Sequence, residues 1–146
     1  MGRFREADLL QPIARYVHRK GYRWQALELP FYEYRIDLYG FCADTGTTLA
    51  VELKLARWKR ALEQALVYQL CSDLVFVALP KKRIPKIPMQ LFRDSGIGLI
   101  SVGDDGTCRV ELQAQLSFEV REHYRGDYIE MLRGENGGRR QSARSR

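Results

Sequence analysis

Asp37, Glu52 and Lys54 are the residues of this chain whose types and spacing could do chemistry together. Asp37 stands between Ile36 and Leu38 in YRIDLYGF, where period-two alternation predicts a strand over Tyr34 to Phe41. Glu52 and Lys54 stand in LAVELKL, a predicted strand over Leu49 to Leu55. In a strand, residues two apart share a face, so Glu52 and Lys54 point the same way. The polar cluster Asp44-Thr45-Gly46-Thr47 between the two strands predicts a hairpin. With Thr45-Gly46 as a two-residue turn, Asp44 lies opposite Thr47 and Asp37 opposite Lys54. An extra loop residue shifts that partner, but Asp37 stays about one position from the Glu52/Lys54 pair. Facing side chains on such a ladder have Cβ atoms roughly 5 Å apart. Carboxylates that close repel, and a hard divalent cation, Mg²⁺ or Mn²⁺, resolves the conflict. A cation also lowers the pKa of a water it binds and neutralises charge growing on a phosphoryl oxygen, while a neighbouring lysine can orient the water. This combination suits phosphodiester hydrolysis. Alternating acid and base on a solvated strand is the competing reading of Glu-x-Lys alone. The Asp in an otherwise apolar strand, joined to it by a hairpin turn, favours the chemical reading.

The elements that must position these residues follow from periodicity. Leu9, Leu10, Ile13, Ala14 and Val17 recur at helical spacing from Glu6 to Lys20, and Gly21 marks a stop. Tyr22 to Leu29, ended by Pro30, reads as a strand. Trp58, Ala61, Leu62, Ala65, Leu66 and Tyr68 predict a helix over Arg57 to Leu70. The apolar run Leu74 to Leu79 predicts a strand buried on both faces. Lys81 to Pro88 reads as a basic, proline-broken loop and Met89 to Arg93 as a short helix. Gly98 to Val102 and Cys108 to Leu112 read as strands joined by a turn at Gly103-Asp104-Asp105-Gly106, and Ser117 to Arg133 as a final helix. The expected fold is α/β (α+β), a mixed central sheet flanked by helices, in a domain over residues 1–133 with a disordered basic tail over 134–146.

The order strand with Asp, strand with Glu-x-Lys, helix and apolar strand LVFVAL resembles the core of the PD-(D/E)xK, or restriction-endonuclease-like, nuclease superfamily over about residues 6 to 103. Ile36 stands where the namesake proline often does. The resemblance implies a catalytic Asp37, Glu52 and Lys54, with Asp37, Glu52 and the intervening Leu53 holding the metal. Glu6 looks like the extra acidic ligand of some members, and reads equally as a charge complementing the first helix's dipole. Gln64 and Tyr68 in QALVY look like the Q-x-x-x-Y motif of the RecB-like branch. Four apart, they share a helix face. A core tyrosine beside a solvated glutamine is the alternative. The three scattered cysteines, Cys42, Cys71 and Cys108, match no iron–sulfur ligand set and no disulfide framework, and read as buried apolar residues in a reducing compartment.

The formal charge of +6 and a pI near 9.4 favour an acidic partner. The excess gathers at Lys54 to Arg60, at Lys81 to Arg93 and in the tail, with Arg139, Arg140, Arg144 and Arg146. Arg57 and Arg60, with Lys81, Lys82 and Arg83, are the candidate DNA-backbone contacts. No P-loop is present, and His18 and His123 lie in polar helical contexts without partner motifs, which argues against nucleotide hydrolysis and histidine-based nuclease chemistry. The expected partner is DNA, double-stranded or branched, with no membrane and with a homodimer admitted by the resemblance. The expected location is cytoplasmic and nucleoid-associated. The leading expectation is a Mg²⁺-dependent deoxyribonuclease in repair, recombination or defence. The alternative is a catalytically inactive nucleic-acid-binding module or accessory subunit with the same fold.

Overall fold

A computed structural model describes residues 5–134. The tail expected to be disordered lies outside the described residues, apart from Gly134. The elements are α1 (Glu6–Arg19), β1 (Trp24–Phe31), β2 (Tyr34–Cys42), β3 (Thr47–Leu53), α2 (Trp58–Tyr68), β4 (Leu74–Pro80), a 3₁₀ turn (Lys81–Lys86), α3 (Met89–Ser95), β5 (Gly98–Val102), β6 (Cys108–Leu112) and α4 (Glu122–Arg133).

The strands form a six-stranded mixed sheet in sequence order, β1-β2-β3-β4-β5-β6. The β1–β2, β2–β3 and β5–β6 pairs are antiparallel, and the β3–β4 and β4–β5 pairs are parallel. Parallel neighbours need crossovers, which α2 supplies between β3 and β4 and α3 between β4 and β5. Crossovers of one hand through a sheet that advances steadily in one direction put their helices on the same face. Accordingly Ala61, Leu62, Ala65 and Tyr68 of α2 and Phe92 of α3 share a core with Val75, Val77 and Leu99. α1 covers the other face, packing Leu9, Ile13 and Val17 against Leu38, Val51, Phe76 and Ile100. The central strand β4 is apolar on both faces because helices bury both. Where β5 meets β4, a Cβ on Gly98 would come within 2.6 Å of the Phe76 ring and of the Ala114 amide nitrogen, so glycine is required there.

The observed elements correct several expectations. Pro30 does not end β1, which continues to Phe31 because β1 is an edge strand, where a missing N–H costs no ladder bond. The stretch expected as a loop after β4 closes into a 3₁₀ turn, and the last helix begins at Glu122 rather than Ser117. α2 begins at Trp58, with Arg57 as its N-cap residue, and β3 ends at Leu53 rather than Leu55. The hairpin turn is not the two residues Thr45-Gly46. Cys42 pairs with Thr47, which leaves the four residues 43–46 in the loop, closed by the Gly46 amide donating to the Cys42 carbonyl at 2.8 Å.

Among the described residues no helix is long and apolar enough to cross a membrane. Cys42 and Cys71 are buried and Cys108 is half-buried, all three as free thiols.

Candidate functional site

The longer turn moves the β2–β3 register by two residues. Leu38 pairs with Val51, so the next step along the ladder sets Asp37 against Glu52, not Lys54 as the shorter turn predicts. A shift of two preserves the alternation of faces, whereas a shift of one would have turned Asp37 to the opposite side of the sheet. The two carboxyl groups therefore still meet, and more directly than expected. Asp37 Oδ2 accepts from the Leu53 amide at 2.8 Å, which fixes its position at the end of the ladder.

Glu52 is a buried acid, 4% exposed, on the sheet face covered by α2. The Tyr68 hydroxyl, at the C-terminal end of α2, donates to Glu52 Oε1 at 2.8 Å and lies 3.1 Å from the Arg35 carbonyl, sharing its single proton between the two. Lys54 lies one residue past the strand end, bonded through its amide to the Ala78 carbonyl, and its Nζ stands 3.7 Å from Glu52 Oε2. Burial, followed by the Asp37 charge, pushes the Glu52 carboxyl up to about 8, although the Tyr68 hydroxyl and Lys54 act in the opposite direction. Asp37 is also held above the ordinary carboxylate range, first by burial and then by the Glu6 charge, while the Leu53 amide opposes the rise. The Tyr68 phenol is raised by burial and then by Glu52, so it stays protonated as a donor.

Several predicted residues converge here and others do not. Asp37, Glu52, Lys54 and Tyr68 form one connected cluster. Gln64 is not the solvated helix former of the competing reading. Its Oε1 is buried and has no hydrogen-bond partner among the described residues. Glu6 is exposed at the start of α1, near enough for its charge to reach Asp37 and Glu52. Among the described residues no three His, Cys, Asp or Glu side chains are grouped tightly enough to hold an ion by themselves. Leu53 turns its side chain into the α1-side core, so only its backbone carbonyl is left to act as a ligand. His18 and His123 are exposed, as expected.

The donor set suits a hard divalent cation. Asp37 and Glu52 offer carboxylate oxygens whose proton affinity is raised by burial. Mg²⁺ prefers such oxygens and keeps several waters of its own, so two protein carboxylates are enough where a calcium cage would need more.

No family model matches the chain, and no curated protein matches it. Among solved structures it is similar to a protein of unknown function, SPO1766 from Silicibacter pomeroyi, with a TM-score of 0.67 and 20% identity over 89% of this chain and 84% of that one. At that identity the likeness concerns the fold alone. It also matches SfsA from Pyrococcus furiosus, solved in complex with Ca²⁺, at a TM-score of 0.40 and 16% identity over 75% of this chain and 61% of that one, a likeness too loose to carry an argument.

The basic residues take their places from the topology. β3 and β4 run parallel, with Leu53 beside Ala78, so Lys54, Arg57 and Arg60 leave the sheet at the same end as Lys81, Lys82, Arg83 and Lys86. This is also the end at which Asp37 and Glu52 meet. Arg57, Arg60, Lys81 and Lys82 are exposed and Arg83 is half-buried. Sequence reasoning did not single out Arg35, whose carbonyl receives the Tyr68 hydroxyl, because a backbone acceptor leaves no trace in residue type.

Proposed function

We propose that the chain is a divalent-metal-dependent nuclease of the PD-(D/E)xK type that hydrolyses phosphodiester bonds of DNA. The observation that carries this reading is the pairing of a buried carboxyl group, Glu52, with a half-buried one, Asp37, with Lys54 3.7 Å from Glu52, at a sheet end flanked by basic residues. A structural ion pair needs one acid and one base. A second carboxyl group beside a buried first one is destabilising unless something positive joins them.

In this reading Asp37, Glu52 and the Leu53 carbonyl would hold Mg²⁺ or Mn²⁺, with the Glu6 charge near enough to act on both carboxyl groups. A cation held there would supply Lewis-acid polarisation of a phosphoryl oxygen and would acidify a bound water. Lys54 brings its ammonium group to where negative charge grows on the phosphate, and can orient the water by hydrogen bonding. Tyr68 holds the Glu52 carboxylate in one rotamer by donating to Oε1, which leaves Oε2 directed at Lys54. Gln64, one helical turn earlier, adds an acceptor for a water or a cation hydration shell. Arg57, Arg60, Lys81, Lys82 and Arg83 supply phosphate contacts that set the position of the backbone without reading sequence.

A nucleic-acid-binding module without catalysis is the second reading, and the same basic sheet end favours it. Incubating the protein with labelled linear, single-stranded, nicked and branched DNAs, in Mg²⁺, Mn²⁺ or EDTA, separates the two. Metal-dependent cleavage of any member of the panel supports the nuclease. Binding without cleavage in both metals leaves the module.

A further inference from the structure

Beyond the carboxylates, the same end of the sheet carries an aromatic groove. β1 and β2 are joined by the two-residue turn Tyr32-Glu33, set by the pairing of Phe31 with Tyr34. Such a turn requires left-handed backbone and is normally made by Gly, Asn or Asp. Here Tyr32 takes that conformation, at φ 56°. Its ring is not there to fill the core, because the residue is 62% exposed. It stands edge-on to Phe31, with ring centroids 4.8 Å apart, and its hydroxyl meets that of Tyr124 on α4. With Pro30, Asp127 and Tyr128 these residues line a groove of about 290 Å³. Tyr128 is locked by donating to the Pro30 carbonyl at 2.6 Å, so the floor is rigid.

The strand that leaves the groove leads to the candidate active site, since Tyr34 pairs with Phe31 on the β1–β2 ladder. Tyr34 stands edge-on to Tyr68, with ring centroids 6.4 Å apart, and the Tyr68 hydroxyl is 2.8 Å from Glu52. Along β2, Tyr34, the first residue after the turn, and Asp37 are about 10 Å apart at roughly 3.3 Å per residue.

We infer that this groove receives an unpaired base of the nucleic-acid strand, stacked against Tyr32, while the strand's backbone runs on to Asp37 and Glu52. The inference rests on the nuclease reading and specifies its substrate as one with a single-stranded segment beside the scissile bond. Aromatic faces bind bases of any sequence, because every base has a π-face. Asp127 on the groove wall can accept from an exocyclic amine and repels phosphate, so a base fits there and the backbone does not. Phosphates are met outside the groove by Arg35, whose exposed pairing with Glu28 at 3.6 Å is weak enough for a phosphate to compete with. Tyr32 ties the turn to α4 through Phe31 and Tyr124, yet most of the residue stays exposed beside the groove, where a ligand can use its ring.

The test uses the full chain in EDTA, where no metal-dependent cleavage occurs, and a single-stranded oligonucleotide carrying 2-aminopurine beside an equal-length duplex. Tyr32→Phe should keep the fluorescence quenching and bind within about twofold of wild type. Tyr32→Ala and Tyr32→Gly should weaken single-strand binding by about 5- to 150-fold, the range for loss of one stacked base, and leave duplex affinity unchanged. Tyr32→Gly guards against an artefact of backbone strain, since glycine adopts the left-handed turn freely, and a cooperative melt in both truncations shows that the fold survives loss of the Phe31 and Tyr124 contacts. Wild-type single-strand affinity in both truncations, or an equal loss on single strand and duplex, overturns the inference. So does a wild type that binds no single strand. If wild type quenches the probe but cleaves nothing in Mg²⁺ or Mn²⁺, the nuclease reading fails and the stacking site stands. If wild type cleaves, and the Tyr32 variants bind and cleave as it does, the stacking site fails and the nuclease stands.

Discussion

Replacing Glu52 by Gln in the metal-free protein should raise its stability, and by an amount that grows with pH. The carboxyl is 4% exposed, and burial and then Asp37 push it from 4.5 up to about 8. The folded state therefore holds this proton more tightly than the unfolded chain does. Stability is greatest below about pH 4.5 and declines as pH rises toward 8, because folding must then either retain a proton or bury a charge. At about 1.4 kcal/mol per tenfold change in proton affinity, the span from 4.5 to about 8 corresponds to about 5 kcal/mol. Gln has nearly the same shape, keeps an oxygen for the Tyr68 hydroxyl and never ionises, so the variant loses this slope. At roughly 2–4 °C per kcal/mol for a domain somewhat larger than 100 residues, the variant should melt about 10–20 °C above wild type at pH 9 and close to it at pH 5. Thermal melts of both proteins in EDTA from pH 5 to 9 measure the difference directly. Parallel curves across that range would refute the idea that ionising the buried Glu52 costs the fold stability despite Tyr68 and Lys54.

Tyr68→Phe removes the hydroxyl that reaches Glu52 at 2.8 Å in a fully buried setting and should destabilise by about 1–3 kcal/mol, read as a lower denaturant midpoint at unchanged m-value. Arg125→Ala breaks the tie from α4 to Asp73, at 2.9 Å, and to the Gly46 carbonyl of the hairpin turn. A drop in stability of about 1–3 kcal/mol is expected, with nucleic-acid affinity unchanged, because Arg125 is engaged in holding the fold. Joint replacement of Lys81, Lys82 and Arg83 by Ala should weaken DNA binding and flatten the plot of log affinity against log salt by about 0.9 for each phosphate that is no longer neutralised. An unchanged slope would remove the 3₁₀ turn from the interface.

How far the sequence could be read differs from residue to residue. The carboxylate pair was readable because strand periodicity and a hairpin signal together constrain which residues share a face, and Asp37, Glu52 and Lys54 fall on one side under any register of the right parity. The register itself was not readable. Thr45-Gly46 is a plausible two-residue turn, and nothing in the residue types shows that Ala43 and Asp44 also leave the ladder. The β1–β2 hairpin was hidden for a related reason, since Tyr32-Glu33 lacks the Gly or Asn that marks a tight turn. Tyr68 fitted both a motif and a core position, and the structure shows that it is fully buried with its hydroxyl on Glu52. The network of Asp73 with Thr48 and Arg125 spans residues far apart in the chain, and no local pattern announces it.

The most direct measurement is Mg²⁺-dependent DNA cleavage by wild type, Asp37→Asn, Glu52→Gln and Lys54→Ala, with DNA affinity in EDTA measured on the same preparations. The amides keep the shape of the carboxylates but not the charge that would hold the cation. The cleavage expected of wild type should vanish in all three variants, while affinity in EDTA is largely retained by all three and rises modestly in Asp37→Asn, where a negative charge beside phosphate has been removed. A wild type that cuts no substrate in Mg²⁺ or Mn²⁺, or variants that cut as wild type does, would contradict the assignment of Asp37, Glu52 and Lys54 as a hydrolytic site.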